Sequence, residues 1–166
     1  MGLKEVKAVL LKKGWAGRTL SREETVERLN PLIKHHMALN HAYNYVVNTC
    51  TEPAIAEALA GLQKTARVDV GKLMETVFSC GGVAYNGVEM EPEDFALDPD
   101  DNEMLFALRD QEQAFRDALA EEFELEHQMR TRAVLTRLQT NSQQRFDYLK
   151  LNTKKRRPKA ATSPPS

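Results

Sequence analysis

The chain has 166 residues, a formal net charge of −1 and 42% hydrophobic residues. That suffices for one domain with a sizeable core, and the charge balance excludes a global field that favours nucleic acid or membrane. Two cysteines without a recognisable secretory signal lead us to expect a reducing cytoplasm and no disulfide framework, and no run approaches the roughly 20 apolar residues that span a bilayer.

Residues 1–20 read as a lead-in. Lys4, Glu5 and Lys7 leave no apolar signal core. Val6, Val9 and Leu10 line one side of a short amphipathic stretch that Gly14 and Gly17 end. Ser21 with Glu24 is a capping box, so a first helix is expected from about Arg22 to Asn48 or Cys50. Pro31 inside it would kink the first turns or delay the start to Asn30. Thr51 reads as the next cap, with Pro53 in the first turn of a second helix that Gly81-Gly82 stops after Ser79.

The spacer from Val83 to Asp98 is long for a hairpin and predicts a crossover or an ordered loop over one end of a bundle. Asp98 and Pro99 read as the cap and first turn of a third helix. From there to Lys150 no glycine or proline occurs. One helix of that length would be about 75 Å long, out of scale with this chain, so a turn is expected at Ala120–Leu125. The acidic run Glu121, Glu122, Glu124, Glu126 suits the start of a fourth helix, with Leu135, Leu138, Phe146 and Leu149 inward. Cys50 and Cys80 read as small buried residues near helix ends. The domain reading is a lead-in at 1–20, a bundle at 21–151 and a disordered basic tail at 152–166.

The second and third stretches carry apolar residues at alternating steps of four and three. One seam reads Ile55, Leu59, Leu62, Ala66, Asp69, Leu73. The other reads Leu105, Leu108, Glu112, Phe115, Leu119. This spacing keeps one face inward, so Asp69 and Glu112 are expected at the core. A carboxylate there must be paired, protonated or bound to a cation.

The segment Tyr43 to Gly82, with Leu59, Leu62, Ala66 and Arg67 before Val77, Phe78 and the Gly-Gly pair, carries a resemblance. Glu112, Ala114, Phe115, Leu119, Gln139 and Asp147 extend it over about residues 24–150. The chain resembles the bacterial ferritin-like four-helix-bundle proteins of uncharacterised function, distant relatives of bacterioferritin and rubrerythrin. The resemblance implies an all-α, ferritin-like antiparallel four-helix bundle with a long loop between helices 2 and 3, and no established reaction.

A ferritin-like di-metal centre needs a Glu on each of two helices and Glu-x-x-His on the other two. Here the matching places read Ala66-x-x-Asp69 and either Gln144-x-x-Asp147 or Gln139-x-x-Ser142, without histidine. The one literal Glu-x-x-His, Glu124 to His127, falls at the predicted start of helix four, where it should be exposed. On helix one His36 and Asn40 share a face with Leu29, Ile33, Tyr43 and Val47, while His35 and His41 point elsewhere. His36, Asp69 and Glu112 make either a non-standard site for iron or another divalent metal, or a hydrogen-bonded layer that fixes helix register. The spacing favours the layer. On that basis a leucine at 112 is expected within about 1 kcal/mol of neutral.

No phosphate loop, Gly-x-Ser-x-Gly or Cys-x-x-Cys is present. The expectation is a non-catalytic cytoplasmic bundle without a cofactor, acting through protein contacts as a homo-oligomer. The alternative is a metal-binding ferritin-like protein or oxidoreductase using His36, Asp69 and Glu112. A third reading is a stress-related protein that binds nucleic acid or an acidic partner through the basic run at 153–159, Lys154, Lys155, Arg156, Arg157 and Lys159.

Overall fold

Ser21 starts the first helix by the predicted exchange. Its hydroxyl accepts from the Glu24 N–H at 3.1 Å, and Glu24 Oε1 accepts from the Ser21 N–H at 3.2 Å. A computed structural model describes residues 18–157. The short amphipathic stretch expected before Gly14 lies outside them. Four long helices make up the described fold: α1 (Arg22–Thr49), α2 (Pro53–Ser79), α3 (Asp101–Glu122) and α4 (Met129–Thr153). Among the described residues there is no strand.

Helix α1 begins at Arg22 and carries Pro31 within it, so the proline does not delay the start. The cap of α2 is Glu52 rather than Thr51, and it makes no side-chain cap. Thr51 is engaged elsewhere: its backbone N–H donates to Asp101 Oδ1 at 3.0 Å and its hydroxyl to Oδ2. That bond holds the start of α3 against the α1–α2 turn. Pro53 occupies the first turn of α2, where its missing N–H costs nothing. At the other end Gly81 takes φ +79°, the left-handed conformation that stops a helix. Gly82 N–H then donates to Val77 O at 3.0 Å.

Residues 80–100 contain only one short 3₁₀ turn, Pro92–Phe95. They follow α1. Asn30 clamps the stretch, donating to Val83 O at 2.9 Å and accepting from Tyr85 N–H at 2.8 Å. Further along, the His41 ring stacks on Phe95 at 4.8 Å. The cap of α3 is Asp100, two residues after the expected Asp98, and it accepts from Glu103 N–H at 3.1 Å.

The acidic run does not open α4. Glu121 and Glu122 close α3 instead, and residues 123–128 form the turn. Leu125 and His127 are buried there, and Leu20 N–H donates to Glu126 O at 2.8 Å. Burying those side chains draws the chain across the helix ends before α4 can begin.

Helices α1 and α4 each pack on both α2 and α3. On facing helices the residue numbers run in opposite senses. His36 lies near Asp69 while Asn44 meets Gln63, and Tyr43 meets Glu112 while Arg28 meets Glu122. The core comprises Leu29, Ile33, Tyr43, Leu59, Leu73, Leu105, Leu108, Phe115, Leu119, Leu138 and Leu149, among others.

Several inward assignments change. Phe146 is half-buried, with the Arg116 guanidinium 4.4 Å from its ring, and Arg145 takes the core position. Val46 is buried where Val47 was expected, and Leu62 is half-buried. Cys50 and Cys80 are half-buried free thiols. Helix α4 runs past residue 151 to Thr153, which is buried. Arg156 then reaches back to Glu52 at 2.7 Å and Asn102 at 2.8 Å. This part of the expected tail is therefore tied to the helices.

Candidate functional site

The seam of α3 turns Glu112 inward, and the seam of α2 turns Asp69 inward. Both are fully buried, as is His36 on α1. The steps of α4 from Leu135 through Leu138, Ser142, Arg145 and Leu149 are three, four, three and four, and all five side chains are buried. Ser142 and Arg145 therefore project into the same layer as the two carboxylates.

Arg145 organises this layer. Its Nε donates to Glu112 Oε1 at 2.7 Å, and its Nη2 to Oε2 at 3.4 Å. Its Nη1 lies 3.4 Å from Asp69 Oδ2 and 3.3 Å from the Thr65 hydroxyl. Glu112 also accepts from Tyr43 OH at 2.6 Å and from Ser142 Oγ at 2.7 Å. Asn141 Nδ2 donates to Asp69 Oδ1 at 2.8 Å. Side chains from all four helices thus meet around one guanidinium.

The energetics follow from burial. Burial opposes the Arg145 charge, but Glu112 beside it outweighs that and holds the guanidinium above its ordinary pKa. Burial pushes the Tyr43 hydroxyl well up, and the Glu112 carboxylate adds to the effect. Tyr43 is therefore a neutral donor near neutral pH.

His36 does not hydrogen-bond either carboxylate, contrary to expectation. Its Nε2 is 3.9 Å from Asp69 Oδ2, beyond hydrogen-bond range. Arg145 and Asn141 already occupy Asp69, while Tyr43, Ser142 and Arg145 occupy Glu112. The His36 ring packs on Phe115 with centroids 4.3 Å apart, and neither ring nitrogen has a partner among the described residues. Asn40 sits one turn on, donating to Ala66 O at 3.5 Å. His35 meets Phe115 edge-on at 5.5 Å, and burial lowers its pKa.

The structure thus brings His36, Asp69 and Glu112 to one layer, but with an arginine among them. Among the described residues no group of three His, Cys, Asp or Glu side chains is arranged to hold a metal. A guanidinium 2.7 Å from Glu112 supplies the countercharge a cation would supply and repels a second one. The set does not fit the two-metal pattern. Of the helix-four places considered, Ser142 faces the layer, and Asp147 is exposed.

A second buried ionic cluster lies in the α3–α4 turn. His127 is buried rather than exposed, and Glu124 is the exposed member of that pair. His127 Nε2 is 2.9 Å from Glu122 Oε1, and Arg28 of α1 forks onto the same carboxylate. Burial alone would raise the Glu122 pKa. The bonds from His127 and Arg28 outweigh it and leave the carboxyl below its ordinary range. No protein-family model, curated protein or solved structure matches the chain.

Proposed function

We propose that this chain is a ferritin-like antiparallel four-helix bundle, with residues 80–100 as the crossover between its two hairpins. It acts without catalysis, through contacts with other proteins, as a homo-oligomer. The observation that carries this reading is Arg145. In the place where a ferritin-like bundle would gather carboxylates around metal, this chain has two carboxylates, and a guanidinium lies within hydrogen-bond range of both. Such a layer fixes which helix faces meet and at what register. The opposed residue numbering along each helix pair supports the antiparallel arrangement. So does the course of residues 80–100 from Asn30 to the α1–α2 turn.

The homo-oligomer rests on the resemblance to ferritin-like bundles, and the singly exposed side chains of Phe78, Met129 and Leu151 are compatible with it. Sedimentation equilibrium of the full chain tests this. Self-association at micromolar concentration supports the reading, and a strictly monomeric species contradicts the homo-oligomer.

A second reading, a single divalent ion held by His36 and Asp69, is favoured by two specific observations. Both His36 ring nitrogens lack a partner among the described residues, and two carboxylates face one guanidinium. Metal content after purification without chelator separates the two readings.

A further inference from the structure

A cleft of about 310 Å³ lies between the C-terminal end of α2 and the N-terminal end of α4. Three cations line it, Arg22, Lys72 and Arg130, against one carboxylate, Glu75. Lys72 Nζ is 3.5 Å from Glu75 Oε2, so those two charges offset each other. Arg22 and Arg130 form no ion pair among the described residues. They are two uncompensated positive charges at one concavity.

The start of α4 adds hydrogen-bond donors. Its cap residue, Gln128, makes no side-chain cap, because its amide donates to Leu20 O at 3.1 Å instead. The backbone N–H groups of Met129, Arg130 and Thr131 are thereby left without a side-chain acceptor. Helices α1 and α3, by contrast, are capped by Ser21 and Asp100. Thr131 gives an independent sign. It is only 2% exposed, it lines the cleft, and its hydroxyl has no hydrogen-bond partner among the described residues. That leaves the hydroxyl free to donate to a group in the cleft. The carbonyls at the end of α2 do not oppose an anion strongly, since Cys80 and Gly82 N–H groups already donate to Thr76 and Val77.

We propose that this cleft binds a phosphate group, free or carried by a small phosphomonoester. Arg22 and Arg130 supply charge, and the Thr131 hydroxyl and the open N–H groups of α4 donate hydrogen bonds to the anion's oxygens. Val134 on the same wall gives a short organic body an apolar contact. The site is separate from the Arg145 layer and takes nothing from it.

The test is a ¹H–¹⁵N titration of the full chain at constant ionic strength, with chloride as the balancing anion. Inorganic phosphate is one ligand and glycerol 3-phosphate the other. Saturable shifts confined to Met129, Arg130, Thr131 and their neighbours are expected. Tighter binding of the monoester identifies an organic phosphate as the ligand class, and equal binding identifies free phosphate. Both outcomes support the site. Exposed Arg22 and Arg130 can be replaced without disturbing the core, and R22A/R130A should weaken binding about tenfold or more. Thr131→Val should weaken it severalfold in a folded protein. Arg137→Ala, an exposed cation elsewhere on α4, should leave affinity unchanged. No saturable shift, or equal weakening by Arg137→Ala, would overturn the proposal.

Discussion

Arg145 has no exposed surface and carries its charge in the middle of an apolar core, which makes it the residue whose removal says most. Arg145→Met strands Glu112 and Asp69 and should cost about 3–5 kcal/mol in urea denaturation. Glu112→Leu should cost a similar amount, contrary to the near-neutral effect expected from the α3 seam alone. The reason is that Glu112 satisfies Tyr43, Ser142 and Arg145 together. The double variant should cost less than the sum of the two, because removing Glu112 together with Arg145 leaves only Asp69 without its countercharge. Strictly additive losses would show that the pair is not a unit. The burial of the two carboxylates was legible, since four–three spacing turns Asp69 and Glu112 inward. Their partner was legible too: steps from Leu135 through Leu138 and Ser142 lead to Arg145. The aromatic ring of Phe146 is more apolar and sits one place on, so hydropathy favoured it over the register. His36 could not be placed by spacing alone, because a face shared with Leu29 and Tyr43 does not say which acceptors are already taken.

Glu122 gives a pH-dependent prediction at the same scale. Its carboxyl titrates below the ordinary 4.5 in the folded protein. The stability it contributes is therefore present above that value and is lost as pH falls through the folded pKa. Glu122→Gln should cost about 1–3 kcal/mol near neutral pH, and the gap to the unsubstituted protein should narrow as pH falls below the ordinary carboxyl range. A gap of constant size from neutral to acid would mean that the hydrogen-bond geometry, not the charge, matters.

At the scale of elements, the ends of helices are decided by specific residues. A Cβ at Gly82 would lie 2.5 Å from Val26 Cγ2, inside any allowed contact. Gly82→Ala should therefore lose about 1–3 kcal/mol, and Val26→Ala in the same chain should return part of it. Thermal melts of the three variants measure this, and a Gly82→Ala melt unchanged from the parent would contradict the close approach. The start of α1 and the stop of α2 were legible because Ser21–Glu24 and Gly81-Gly82 act through local backbone bonds. The α3–α4 turn was placed about right but its acidic run was assigned to the wrong helix. Leu125 and His127 set that boundary by tertiary burial, which local charge does not reveal. Arg156 shows the same limit, since composition marks it as tail while its partners, Glu52 and Asn102, are distant in sequence. Arg156→Ala should cost only about 0.5–1 kcal/mol by chemical denaturation, as Glu52 is substantially exposed.

For the whole molecule, the all-helical class followed from periodicity and from the long stretch without glycine or proline. No helix among the described residues is long and apolar enough to cross a membrane. The role of the bundle turns on what balances charge in its central layer. Arg145 supplies one positive charge to the layer's two carboxylates, and Tyr43, Ser142 and Asn141 donate to them as well, so we propose that the layer holds together without a metal ion. The most direct measurement is the metal content of the full chain purified without chelator, before and after addition of ferrous iron or manganese. This account predicts far less than one ion per chain in both states, with the melting temperature unchanged by the metal. About one tightly held ion per chain, lost in Asp69→Asn or His36→Leu, would contradict it.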